Sequence, residues 1–155
     1  MIFVGIDPGK KGAIAFLDSK GNASVYDMIT EEQFSHRLLP VCYSSCKVAI
    51  EQVHAMPGQS CKSNFTFGEQ NMLAKLVGMW YNIHPVMVSP QKWKGYYGLK
   101  KEPEESTSDF KHRSVLLARE LFPKLEDKLF ISKDGRAEAL LIARWLRDNA
   151  DAQGD

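Results

Sequence analysis

Residues 2 to 6 form an unbroken apolar run, IFVGI, which stops at Asp7 and is followed at once by Pro8 and Gly9. Consecutive apolar positions of this length predict a strand buried on both faces, spanning 2 to 7. A second strand is predicted over 12 to 18 (GAIAFLD), a turn over Ser19 to Asn22, and a third strand over 23 to 28. Connections this short join antiparallel neighbours. Thr30 suits a helix N-cap, with Glu31, Glu32 and Gln33 in the first turn, and Pro40 ends that helix. The run KVAIEQV (47 to 53) predicts a fourth strand that also meets an acid, Glu51, near its end.

After a glycine- and polar-rich loop, HAMPGQSCKSN, a helix is expected from Phe65 to Trp80, with Met72, Leu73, Leu76, Val77 and Trp80 on one stripe. Ala74 and Gly78 form a narrower strip beside it that permits close approach by another element or chain. HPVMVS (84 to 89) predicts a fifth strand. Residues 90 to 107 look the least regular, and the charged run KKEPEE within them has the composition of a mobile loop. A helix carrying Phe110, Leu117 and Leu121 should end before Pro123, and a last helix should run from about Asp134 to Asp148. Three strands, a helix, a β-α-β passage and trailing helices predict a mixed α/β sheet of five strands, three antiparallel and then parallel, flanked by helices.

The last helix carries an oddity. Glu138, Leu141, Ile142 and Trp145 fall at i, i+3, i+4 and i+7 and therefore share a face. That face is the apolar one, whereas Arg136, Arg144 and Arg147 point elsewhere. A carboxylate on a core-facing stripe is costly unless a cation or a hydrogen-bond network receives it. Asp134 lies near the same line, and before Gly135 it reads equally as a helix N-cap or as a ligand. Three acids thus have reason to meet: Asp7 and Glu51 from strand ends, if those strands are parallel neighbours, and Glu138 from the helix. No lysine or arginine is obviously placed to neutralise them. Magnesium, with its preference for carboxylate oxygens, water and phosphate, would do so, and two such ions about 3.5–4 Å apart serve phosphodiester hydrolysis.

Composition narrows the class. The 155 residues, 44% hydrophobic and 10% aromatic, suit one domain, 1–155, with a real core. No stretch approaches the roughly 18 apolar residues of a membrane span, and the N-terminal apolar run breaks at Asp7 without a signal-peptide pattern. Cys42, Cys46 and Cys61 make an odd count with no disulfide framework, as expected of reduced cytoplasmic thiols, and the second ligand pair that a zinc site would need is missing. The net charge of +1 conceals local basic groups: Lys10 and Lys11 at the first turn, then Lys92, Lys94, Lys100 and Lys101, then Lys111, His112 and Arg113.

Four segments, GIDPGKKGAIAFLD, AIEQVHAMPGQS, VSPQKWK and DGRAEALLIARW, together make most of the chain resemble the RuvC-like Holliday junction resolvases of the RNase H-like superfamily, in particular the short versions carried by bacteriophages. The first segment alone is weak, since sugar kinases and actin-like ATPases share such an opening, but this chain is short for that two-lobed fold and shows no second phosphate loop. The resemblance implies a homodimeric, magnesium-dependent endonuclease, with manganese as a substitute, that makes paired nicks across a four-way DNA junction in the cytoplasm. Its catalytic and metal-binding acids would be Asp7, Glu51, Glu138 and Asp134. The best-known members carry their last two acids three residues apart; here Gly135 holds that position and Asp134 comes one earlier. Lys10, Lys11 and Lys62 would meet phosphate, and Phe65 or Phe67 would wedge against unstacked bases or else pack in the core or dimer. Trp93 between Lys92 and Lys94, with Lys100 and Lys101, resembles a stacking-plus-phosphate surface, though Trp93 serves equally as a core anchor. His54 either assists proton transfer or makes structural hydrogen bonds. Two alternatives stay open: a nuclease acting broadly on branched or flap DNA, and a junction binder without chemistry, against which the retained acids argue.

Overall fold

The computed structural model describes residues 1–8, 11–27, 45–52, 68, 72 and 83–150. The helix expected from Thr30 to Pro40 lies outside these residues, as does the one expected from Phe65 to Trp80 apart from Gly68 and Met72, which are helical. Five strands form one sheet: β1 (Ile2–Asp7), β2 (Ala13–Asp18), β3 (Ala23–Asp27), β4 (Cys46–Glu51) and β5 (Val86–Val88). Their order is β3-β2-β1-β4-β5. β1 pairs antiparallel with β2, and β2 with β3, whereas β1–β4 and β4–β5 are parallel. This is the mixed sheet that the short turns and the buried runs predict. The fifth strand is shorter than 84 to 89, and the fourth stops at Glu51 rather than Val53.

Alternation along the strands decides which side chains meet. Val4, Ile6, Ile14, Val48 and Ile50 cluster on one face, and Phe3, Ala13, Ala15, Leu17 and Ala49 on the other. The period of two then places Asp7 with Phe3 and Gly5, and Glu51 with Ala49, on that second face. In the parallel register Ile6 lies beside Ile50, so Asp7 and Glu51 sit side by side at the C-terminal edge of the two central strands.

Three helices are described: α1 (Pro90–Tyr96), α2 (Thr107–Leu121) and α3 (Asp134–Asp148). The finding of α1 corrects the expectation that 90 to 107 is irregular. Ser89 caps it, its hydroxyl accepting from the Lys92 N–H at 3.3 Å, and Pro90 supplies a preset first helical φ. α2 ends before Pro123 as expected, and Ser106 caps its start, accepting from the Asp109 N–H at 3.1 Å. Within the KKEPEE segment, Glu105 pairs with Arg113 at 3.1 Å.

α3 is buried over most of its circumference and lies along β1 on the acid-bearing face. A row of small residues, Gly135, Ala139 and Ala143, lets it come close. A Cβ on Gly5 would collide with the Ala139 carbonyl and the Ala143 N–H nitrogen, so only glycine fits on β1 at this crossing. A Cβ on Gly135 would collide with the Lys11 carbonyl and stand 2.9 Å from Asp7 Oδ2. The helix is pinned laterally by Arg136, whose guanidinium grips Asp27 of β3 in a two-pronged ion pair, with Lys133 adding a bond to the same carboxylate at 2.7 Å.

Candidate metal centre

The three elements just described deliver three carboxyl groups to one place. Asp7 ends the central strand, Glu51 ends its parallel neighbour, and Glu138 comes from the first turns of α3, which alternation and the Gly135–Ala139–Ala143 row have brought down onto that edge. One carboxylate oxygen from each lies within 4.8 Å of the other two. Glu51 and Glu138 are buried, at 5% and 8% exposure, and Asp7 is half-buried at the rim of a cleft of about 170 Å³. Asp134, Gly135, Pro8, Gly12, Lys11 and Lys111 complete the lining of that cleft.

Burial pushes the Asp7 carboxyl well above the usual carboxylate range, and the charges of Glu138 and Glu51 push it further. Glu51 is also raised, by burial first and by Glu138 second, against the opposing hydrogen bonds from Trp93 and Asp7. A cluster of this kind retains a proton or takes up a cation.

Two lysines already serve in part, which corrects the expectation that none is placed to do so. Lys94 Nζ lies 2.9 Å from Glu138 Oε1, and Lys111 Nζ lies 2.6 Å from Asp134 Oδ2. The Asp134 contact raises the Lys111 pKa. Among the described residues, four carboxyl groups thus face two ammonium groups in contact with them, leaving two negative charges when all four are ionised. One divalent cation balances that remainder. The donor set fits a hard cation: all oxygen, from rigid elements, with the positive end of a helix close by and water access through the cleft.

Asp134 is not a helix cap. It is the first helical residue of α3, with φ −55° and ψ −29°, and no side chain among the described residues caps that helix. Its carboxylate enters the cleft, buried at 7% exposure, beside the tighter group of three. Gly135 explains why an acid stands at 134: a side chain at 135 would overlap the Lys11 carbonyl and crowd Asp7.

Trp93 is not a stacking surface. It is fully buried, and its indole N–H donates to Glu51 Oε1 at 2.9 Å. Lys94, also expected on a DNA surface, turns inward to Glu138 with its Nζ 4.9 Å from the Trp93 ring centroid. Lys11, Lys92, Lys100 and Lys101 are exposed. Lys100 and Lys101 border an open pocket of about 460 Å³ with Phe110, adjoining the centre through Lys94. Lys10, His54, Lys62, Phe65 and Phe67 lie outside the described residues. The pairing of Lys111 with Asp134 and the crowding at Gly5 and Gly135 had no signal in the sequence, because each depends on how closely α3 approaches the sheet.

No family model matches the sequence, and no curated protein matches it significantly. Solved structures do match. The RuvC of Thermus thermophilus in complex with Holliday junction substrate superposes with a TM-score of 0.61, covering 98% of this chain and 96% of that one at 14% identity. Thermus thermophilus RuvC alone gives 0.59, with 99% and 97% covered at 16% identity. The fold is RuvC-like. Both alignments take in nearly the whole of each chain. Among the described residues, no helix is long and apolar enough to cross a membrane.

Proposed function

We propose that this chain is a metal-dependent endonuclease, one nuclease domain per chain, that resolves four-way DNA junctions by paired nicks. The observation that carries the reading is the convergence of Asp7, Glu51 and Glu138 at the sheet edge of a RuvC-like fold. Support for the substrate comes from the Thermus thermophilus RuvC structure, which is a complex with Holliday junction DNA.

Asp7, Glu51, Glu138 and Asp134 would hold magnesium, as one ion or a pair, or manganese in its place, and the metal would supply Lewis-acid activation of water and charge stabilisation at the scissile phosphodiester. Asp7, at the end of the central strand and within reach of both other acids, would be the principal ligand, with Glu51 and Glu138 beside it. Asp134 would be the fourth acid, lying in the same cleft. Lys94 and Lys111 keep the metal-free acids from repelling one another and present positive charge to the phosphate. The exposed Lys11, Lys92, Lys100 and Lys101 hold the backbone of the duplex arms, a contact that is independent of sequence and sensitive to salt. Paired nicks on opposite strands require two such centres, hence a homodimer. Reduced thiols and a DNA substrate suit a cytoplasmic setting.

The test is a nicking assay on a synthetic four-way junction, a flap and a linear duplex, in magnesium and in EDTA, with Glu51→Gln alongside. Symmetric nicks confined to the junction, lost in EDTA and in the variant, are expected. Equal cutting of flap and junction would replace this reading with a general branched-DNA nuclease. Tight junction binding with no cutting in magnesium would reduce it to a junction-binding protein.

A further inference from the structure

The segment VSPQKWK contributes a residue to the centre that no charge or spacing argument would select. Trp93 lies on α1, which starts directly after β5, and β5 pairs with β4 so that Val88 sits opposite Glu51. The Gln52 N–H donates to the Val88 carbonyl at 2.7 Å, closing the junction between the two strand ends. The donor at Trp93 and the acceptor at Glu51 are therefore carried on adjacent, hydrogen-bonded pieces of backbone, and the Ser89 cap fixes where α1 begins. The indole ring is completely enclosed, so its N–H has one direction to point, and it points at Glu51 Oε1 from 2.9 Å.

We infer that Trp93 is a positioning residue, which holds the Glu51 carboxylate in one orientation before a cation arrives. β4 fixes only the backbone of Glu51; its side chain has several rotatable bonds, and ordering such a chain costs up to about 2 kcal/mol of entropy. A hydrogen bond made in advance removes most of that cost from metal binding. The choice of donor matters. An indole N–H is neutral and donates only, so it satisfies a buried carboxylate oxygen without cancelling the charge a cation would meet. Lys94, the next residue along α1, treats Glu138 differently, with an ammonium that does compete for that charge. Consecutive residues of one short helix thus hold two acids, one by orientation and one by charge.

This inference rests on reading the acids as a metal centre, and the experiment separates the two. Manganese chloride is titrated into the intact chain by calorimetry, with the wild type, Trp93→Phe, and a chain carrying 3-benzothienylalanine at position 93. The last keeps the shape of the indole and replaces its N–H by sulfur, so it remains informative if Trp93→Phe folds poorly. Loss of such a supporting hydrogen bond is expected to weaken manganese binding roughly 10- to 100-fold. Junction binding in EDTA should stay at the wild-type value, reporting that the benzothienyl chain is folded, whereas its urea midpoint should fall modestly because a buried carboxylate oxygen loses its donor. Manganese affinity within about twofold of wild type in the benzothienyl chain would overturn the inference and leave the metal centre standing. A wild-type chain that takes up no manganese at millimolar concentration would overturn both.

Discussion

Alanine at Gly5 would place a methyl group where α3 crosses β1. The atoms it meets are the Ala139 carbonyl oxygen and the Ala143 backbone nitrogen, with Ala143 Cα at 3.0 Å, so no side chain can swing aside. The helix itself must lift, by roughly 1 Å, out of an interior packed at crystal-like density. Overpacking of this kind costs about 1–3 kcal/mol. The substitution also narrows the unfolded ensemble, which returns roughly 0.4–1 kcal/mol. The net expectation is a loss of about 1.3 kcal/mol, or roughly 3–5 °C in Tm for a domain of this size. Because α3 carries Glu138 and β1 carries Asp7, the lift should also open the acid cluster and weaken manganese binding. The same change at Gly95 on α1, where a new Cβ meets nothing within 4 Å among the described residues, is the control: such a helical glycine should gain up to about 1 kcal/mol. Urea denaturation followed by the fluorescence of the buried Trp93 and Trp145 measures both. A Gly5→Ala chain as stable as wild type would refute the account of the close crossing.

Gly135→Asp would recreate the three-residue spacing to Glu138 seen in the better-known resolvases, yet here it should abolish manganese binding and lower the urea midpoint, because the new side chain overlaps the Lys11 carbonyl and crowds Asp7; retention of both would show that the helix is free to adjust. The pH dependence of stability should carry the mark of Asp27, which the Arg136 guanidinium holds at a pKa of about 2. That value is below the ordinary carboxylate value of about 3.9, so the ion pair contributes fully above that pH and its contribution is lost as pH falls towards 2. The difference in urea midpoint between wild type and Asp27→Asn should therefore be constant near neutrality and shrink below about pH 4, whereas an equal difference at pH 6 and pH 2.5 would contradict the pairing.

Asp7, Glu51 and Glu138 were legible because periodicity alone orients them: apolar runs gave the strands, alternation gave the shared face, and the apolar stripe of the last helix turned Glu138 inward. Their cationic partners were not legible. Lys94 and Lys111 look like solvated lysines until α1 and α2 are packed beside α3, and pairings between residues far apart in sequence depend on that packing. α1 itself carried a start signal, Ser89 followed by Pro90, which the surrounding polar and glycine-containing composition masked. Trp93 invited a surface reading because lysines flank it, but on a short helix neighbouring residues point in different directions, and its direction is into the core. The shift from 135 to 134 in the fourth acid was visible as a departure; its cause, the lack of room at Gly135, is a distance and so required coordinates.

The most direct measurement is an anomalous-difference map from crystals of this chain soaked in manganese. The account predicts density enclosed by the Asp7, Glu51 and Glu138 carboxylates, with Lys94 Nζ drawn off Glu138, and no such density in Asp7→Asn. Acids still paired with Lys94 and Lys111 in saturating manganese, with no density between them, would contradict it.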